Sequence, residues 1–580
     1  MMRKLFNDHR PPAGNDRRPT QFRVLYRQFL FRIVDLELLS ASAQGDIGKL
    51  LGQFAALLIF FSAWLGLATL GFWDAQKPRE ALMVGAWGME HFLIATTMLV
   101  VGLFAVLSWD STFPDRRDVM VLAPLPVRAR TLFLTKVAAA ATSLGLTIAG
   151  FNAFTGFTLP LALAPASSNL LELILSSARY RLIAGYWITM ISAGGFIFCS
   201  VLGLQGLAAQ LLPRRQFLRL SALLQLAAFC LFLSVYFLQP SLTTPEDLSD
   251  PRNQRLLAWL PSYWFLGLFQ ELSGFRHAAT VPLAWRALTG LAIAGSGTAA
   301  AYTLSYFRTL RKIVEQPDIM PGSRLHWLPR FGNSLETAIV QFSVRALLRS
   351  SKHRVMLAFY LGIGFAIAIS LMKSRVSHGE NFADRANAPL LFSSFVIMSV
   401  WVIGTRVVFS MPLALQANWV FRITEVRGTR EYLAAIRRPL FVLSVAPVWA
   451  LSAALLLSVW PWKLAVAHLV VLVLWGIMLA YLSLHGFQKI PFTCSYLPGK
   501  SVFHIAFLAA LGFLYLILWG VGFEGRALYN PIGYVKMLVI LGIAAVLARW
   551  RTVALAKSEE AIVQFEEVQP ADVFVLGLYR

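Results

Sequence analysis

Four consecutive charged residues, Asp115, Arg116, Arg117 and Asp118, stand between two long apolar runs. Acids and bases set side by side make charge-assisted contacts to a complementary surface, which is the chemistry of docking rather than of bond breaking. Pro114 biases the residue before it towards extended backbone. Asp115 can then cap a short helix, and Asp118 favours the same N-terminus. Val119, Met120, Leu122 and Ala123 give that helix an apolar stripe. Pro124 and Pro126 stop it, and Pro126 can open the next helix as its first residue. Arg128, Arg130 and Lys136 lead into the second apolar run. Two readings stand at this point: a basic loop beneath a membrane, or a docking element for a soluble partner.

Other chemistry-bearing groups make weaker patterns. Gly499-Lys500-Ser501 has the ending of a phosphate-binding loop, but the pattern needs glycine where Cys494 stands, and no buried strand precedes it. Nothing else in the chain looks like a nucleotide-binding loop. Glu559-Glu560 resembles the paired glutamates of membrane proteases, but the arginine that should follow is missing and the pair lies in a polar tail. Asp74, Glu80 and Glu90 are expected in one outside loop, where carboxylates could hold a metal and activate an acceptor for a lipid-linked glycosyltransferase. They include no Asp-x-Asp pair. Cys199, Cys230 and Cys494 are scattered, with neither disulfide framework nor metal-ligand spacing. No catalytic residue, cofactor or metal site is assigned.

The elements that must hold these groups follow from composition. The chain has 580 residues, 57% hydrophobic and 14% charged, with a mean hydropathy of +0.63. Apolar runs long enough to cross a bilayer recur throughout, so the fold class is an all-α polytopic membrane protein. A β-barrel would show short alternating strands instead. The net charge of +23 would suggest nucleic acid in a soluble protein, but here the basic residues lie in loops and no nucleic-acid partner is expected.

Apolar segments fall at 50–72, 92–109, 133–163, 183–212, 218–238 and 284–307, then at 355–372, 389–411, 439–460, 464–486, 505–522 and 531–549. They predict about 12 transmembrane helices in two six-helix halves. Basic amphipathic stretches at 22–42 and 335–354 suit an interfacial helix before each half. The expected organisation is a cytoplasmic segment 1–47, a first transmembrane half 48–312, a connector 313–354, a second half 355–549 and a cytoplasmic tail 550–580. With both termini inside, most Lys and Arg fall on the inner face, which places the chain in an inner or plasma membrane. The outside stretch 239–283 includes LAWLPSYWFLGLFQELSG, too short to span and too apolar for a free loop, so a re-entrant or interfacial segment is expected.

The spans carry little charge. Arg406 can snorkel near an inside end, Lys536 and His468 lie towards outside ends, and His485 towards an inside one. No Asp or Glu is expected near mid-depth, which argues against proton or sodium coupling. The inside stretch 412–438 repeats the layout of 109–136. Trp419, Val420, Phe421 and Ile423 form an apolar patch, Gly428 can end that helix, and Thr429 can cap the next. Helix, break, helix thus recurs at an offset of about 300 residues, as pattern rather than as letters.

The letters from Asp118 to Lys136, DVMVLAPLPVRARTLFLTK, resemble the permease of an ABC exporter of the ABC-2 type. Such permeases carry a leucine-rich stretch, then Leu-Pro-Val or Leu-Pro-Ile, then small or basic residues and a lysine opening the third span. The resemblance implies an interfacial helix, six spans, an inside coupling helix between spans two and three, and re-entrant helices outside between five and six. It covers the first half well and the second only in layout, since 412–438 lacks Leu-Pro-Val. It further implies a separate ABC ATPase, as a dimer, docking on the inside loops. Asp115, Arg116, Arg117, Asp118, Arg128 and Arg130 would couple the first half, and Trp419, Arg422, Glu425, Arg427 and Arg430 the second. Membrane lipid would surround the spans, and a small molecule, lipid or peptide would be the substrate. The competing readings are a secondary carrier, which also has six-plus-six architecture, and a polytopic membrane enzyme such as the glycosyltransferase above.

Overall fold

Backbone in hydrocarbon must satisfy its N–H and C=O groups internally, so apolar runs of this length become helices. The computed structural model of the chain describes residues 21–34, 47–70, 79–112, 127–164, 177–240, 242, 244–315, 330–376, 388–411, 435–485, 487, 490–493 and 503–557. Every regular element among them is helical. Among the described residues, nine helices are long and apolar enough to cross a membrane. The protein is an all-α polytopic membrane protein.

In chain order the helices of the first part are α1 (Gln21–Val34), α2 (Ile47–Thr69), α3 (Arg79–Leu107), α4 (Trp109–Thr112), α5 (Ala129–Phe151), α6 (Thr155–Leu163), α7 (Ser177–Leu211), α8 (Arg214–Leu238), α9 (Pro245–Ser249), α10 (Gln254–Trp259), α11 (Pro261–Ser273) and α12 (Val281–Glu315). Those that follow are α13 (Ser334–Arg349), α14 (Ser351–Val376), α15 (Ala388–Phe409), α16 (Arg437–Val459), α17 (Trp462–Ser483), α18 (Phe503–Ala527) and α19 (Pro531–Lys557). The chain forms two compact units, Met1–Leu211 with Thr243–Asp318, and Leu212–Leu242 with Ile319–Arg580. Helix α8, which chain order places in the first six-span half, therefore belongs to the second unit.

In the first unit α1 is amphipathic. It buries Phe29, Leu30, Ile33 and Val34 and packs along α5. The ammonium of Lys136 lies 5.1 Å from the Phe29 ring, a cation–π contact that accommodates a buried charge. The long helices α7 and α12 pack closely because small residues line their contact. A Cβ at Gly206 would stand 3.1 Å from the carbonyl carbon of Ala301, tighter than most side chains tolerate against backbone, so glycine eases that approach.

The segment read as one run over 133–163 is two helices, with Asn152–Phe154 between them. The break survives burial because its polar groups find partners. Asn152 donates to the Ile148 carbonyl at 3.0 Å, and the Phe154 N–H donates to Ser62 Oγ at 2.9 Å. Tyr186 from α7 reaches the same place, 2.8 Å from Asn152 Oδ1 and 3.0 Å from Thr155 Oγ1. Replacing Tyr186 with phenylalanine is expected to cost about 1 kcal/mol of stability, read as a lower unfolding midpoint in detergent.

The stretch expected to be re-entrant contains α9, α10 and α11. Pro261 opens α11 at a first-turn position, and Gly274 closes it in the left-handed region at φ 90°. The N–H groups of Gly274 and Phe275 cap the carbonyls of Glu271 and Gln270. Tyr263, Phe265, Leu266 and Phe269 are buried, and α11 packs against α3, α7 and α12.

In the second unit α15 and α17 form the core, with α14, α16, α18 and α19 around them. Phe229 and Leu233 of α8 fill the space over Gly362 of α14. A π-helical turn at Phe441–Val445 interrupts α16 after its first turn, and the carbonyl of Leu443 within it accepts the Trp401 indole N–H at 2.9 Å. The interfacial stretch at 335–354 resolves into α13, which buries Ile339, Val340, Ala346 and Leu347, and the start of α14.

Candidate functional site

Two buried polar clusters stand out in these apolar bundles, one in each unit. The first centres on Glu90. The sequence places Glu90 in an outside loop before a span at 92, but α3 begins at Arg79 and Glu90 lies inside the helix, 1% exposed. Its carboxylate accepts a hydrogen bond from the Gln270 amide of α11. The next residue, His91, is also buried. Its Nε2 is 3.0 Å from Ser262 Oγ, and its ring stacks on Tyr263 with centroids 3.9 Å apart. Two neighbours on one turn of α3 thus hold both ends of α11. Two turns further along α3, Thr97 joins the Asn152–Tyr186–Thr155 cluster at 3.3 Å. The interior of the first unit therefore carries a polar seam where α3, α7, α11 and the break between α5 and α6 meet. Discontinuous helices with buried polar groups are where membrane carriers place substrate and ion sites.

The second cluster joins Ser394 of α15, His468 of α17 and Glu524 of α18. His468 Nε2 lies 2.7 Å from Ser394 Oγ, and His468 Nδ1 lies 2.8 Å from Glu524 Oε1. The histidine sits between the rings of Phe395 and Trp460, at 5.5 and 6.0 Å between centroids. All three polar residues are buried. Glu524 was expected just beyond a span ending at 522, but α18 continues to Ala527 and carries it into the core. Glu90 and Glu524, read from the sequence as loop residues, are thus buried near the ends of their apolar helices.

The chain Ser–His–carboxylate has the connectivity of a nucleophile with its base and orienting acid. Its surroundings do not suit acyl transfer. Ser394 lies within α15, its hydroxyl also bonds the Leu391 carbonyl at 2.7 Å, and the backbone N–H groups there belong to the helix ladder, leaving none to stabilise an oxyanion. What the cluster does is tie α15, α17 and α18 together through one buried chain of hydrogen bonds.

No protein family, curated protein or solved structure matches this chain.

Most residues expected to couple to a partner fall outside the described residues: Asp115, Arg116, Arg117 and Asp118 on one side, Trp419, Arg422, Glu425, Arg427 and Arg430 on the other. So do Asp74, the Gly499-Lys500-Ser501 turn and Glu559-Glu560. Arg128 and Arg130 are described. Both are exposed at the start of α5, Arg128 at its N-cap position. No group of three or more His, Cys, Asp or Glu that could hold a metal occurs among the described residues. Sequence reading missed Glu90, Gln270, His468 and Glu524 as partners. The signal present was their type: a carboxylate or imidazole bordering an apolar run is a candidate for burial once the helix is extended past the hydropathy window.

Proposed function

We propose that this chain is the membrane-spanning permease subunit of an ATP-driven exporter of the ABC-2 type, energised by a separate ATPase dimer docking on 109–136 and 412–438. The observation that carries the reading is the order of elements in the first half. An amphipathic helix lies along α5, long apolar helices follow, and the buried short helix α11 stands between α8 and α12. That order is the one the Leu-Pro-Val letters imply. The exposed Arg128 and Arg130 suit a soluble partner. Both termini face the cytoplasm of a cell whose inner or plasma membrane holds the chain, as the distribution of Lys and Arg favours. The exported substrate is a small molecule, lipid or peptide.

The test is co-purification. The full-length chain, captured from its native membrane, is expected to bring ATP hydrolysis with it. The double variant Arg116→Glu, Arg117→Glu is expected to lose that activity while keeping its helix content by circular dichroism. Undiminished co-purification would end the docking role. A second reading, an ion-coupled carrier, is favoured by the buried carboxylates of Glu90 and Glu524. It predicts transport that collapses on adding an uncoupler with ATP clamped, where the exporter reading predicts none.

A further inference from the structure

Serine and threonine in a helix ordinarily turn the hydroxyl onto a carbonyl three or four residues back. This chain follows the habit at Thr96, Thr135, Ser143, Thr147 and Ser200. Thr189 of α7 and Ser273 of α11 depart from it. They are 0% and 5% exposed, and neither hydroxyl has a hydrogen-bond partner among the described residues. Two more buried oxygens share that condition close by. Gln270 gives its amide N–H to one oxygen of Glu90, leaving Gln270 Oε1 and Glu90 Oε1 without partners.

The four residues lie on helices α3, α7 and α11, which pack against one another in the first unit. Gln270 and Ser273 are three residues apart on one face of α11. A Cβ at Gly185 would lie 3.5 Å from Ser273 Oγ, and Thr189 is the next turn of α7 on the same face. The ring of Tyr186 meets that of Phe269 at 6.2 Å, which keeps α7 and α11 in this register. Glu90 enters from α3 through its bond to Gln270.

A buried oxygen with no donor forfeits its hydration and recovers nothing. A cation seated where α3, α7 and α11 pack would draw on these oxygens as ligands. The donor set is all oxygen, the preference of a hard cation. Charge fixes the valence. Glu90 has no ion pair among the described residues, while Glu271 pairs with Arg276 at 3.0 Å and Arg181 occupies the Leu272 carbonyl at 2.9 Å. One uncompensated carboxylate in an apolar interior is neutralised by one positive charge, and a divalent ion would leave an excess. Gln270 and Ser273 also sit in the last turn of α11, whose dipole presents its negative end there. A proton on Glu90 would neutralise the charge too, but it supplies one donor and serves at most one of the other oxygens.

We propose that Glu90, Gln270, Ser273 and Thr189 form a binding site for a monovalent alkali cation, which ties α11 to α3 and α7. The site does not depend on whether ATP or an ion gradient drives transport.

The test uses the full-length protein in lipid nanodiscs, titrated with NaCl or KCl against choline chloride at constant ionic strength. Thermal unfolding is followed by tryptophan fluorescence. The midpoint is expected to rise with the logarithm of Na⁺ or K⁺ concentration and to stay flat in choline. Thr189→Val keeps the side-chain shape and removes one oxygen, and it should weaken the apparent cation affinity by about tenfold or more. Glu90→Gln should abolish the salt-specific rise. If that variant does not fold, Thr189→Val and Ser273→Ala decide the matter. The proposal is overturned if wild type shows no rise beyond choline, or if the variants keep the full rise. Stabilisation by acid alone, with no alkali dependence, would make a proton on Glu90 the ligand and overturn it equally.

Discussion

Replacing His468 with leucine is expected to destabilise the second unit by about 2–3 kcal/mol, the cost of leaving a buried carboxyl group without its hydrogen-bond partner. The size comes from what is left behind. Glu524 would keep its place in the core of α15, α17 and α18 with neither oxygen bonded, since Oε2 already has no partner among the described residues. Ser394 would lose less, because its hydroxyl retains the Leu391 carbonyl at 2.7 Å. Phe395 and Trp460 would pack on leucine much as they pack on the imidazole. The double variant His468→Leu, Glu524→Leu removes both polar partners and should recover most of the loss, because replacing both ends of a buried hydrogen bond by apolar groups can be nearly neutral. Chemical denaturation in detergent, read through tryptophan fluorescence, checks both. A single variant as stable as wild type would show that Glu524 has another partner. A double variant no better than the single would show that the three-residue chain matters for packing rather than for its hydrogen bonds.

These groups explain where sequence reading succeeds and stops. Each apolar segment falls on a helix, because a bilayer leaves no other solution for such a run. The pieces of α11 were legible for the same reason: apolar residues too few to span, bracketed by Pro261 and Gly274. Glu90 and Glu524 were not. Hydropathy scores a residue against its chain neighbours, whereas Glu90 is accommodated by Gln270, 180 residues away, and His468 by Glu524, 56 away. The break at Asn152 hid for the converse reason. Its neighbours are apolar, and only the arrival of Ser62 and Tyr186 makes an interrupted helix tolerable there. The grouping of α8 with α14 is equally non-local, resting on Phe229 and Leu233 meeting Gly362. The coupling residues stand differently. Their case rests on letters and charge, and only Arg128 and Arg130 lie among the described residues.

Gly267 carries the second large effect. Glycine inside a helix ordinarily costs about 1 kcal/mol relative to alanine, so Gly267→Ala should by propensity stabilise α11. The packing reverses the sign. A Cβ there would stand 2.6 Å from Leu283 Cβ, 2.7 Å from the Thr280 carbonyl oxygen and 2.9 Å from the Ala284 N–H nitrogen. Two of those atoms are backbone at the start of α12 and cannot rotate aside. Overpacking against a rigid neighbour costs about 1–3 kcal/mol and sometimes more, and backbone contact belongs at the upper end, so the net loss should be about 2 kcal/mol. Gly295→Ala is the matched control. It lies in α12 with nothing within 4 Å of the added carbon, and should be neutral or slightly stabilising. The relief available to Gly267→Ala is to push α11 off α12. That movement would carry Gln270 relative to Glu90 and should blunt any stabilisation by salt together with the fall in unfolding midpoint. A variant that loses stability but keeps its full response to Na⁺ would show that α11 tilts about its Gln270 end instead of sliding. A variant as stable as Gly295→Ala would show that α11 does not seat against α12 in the membrane.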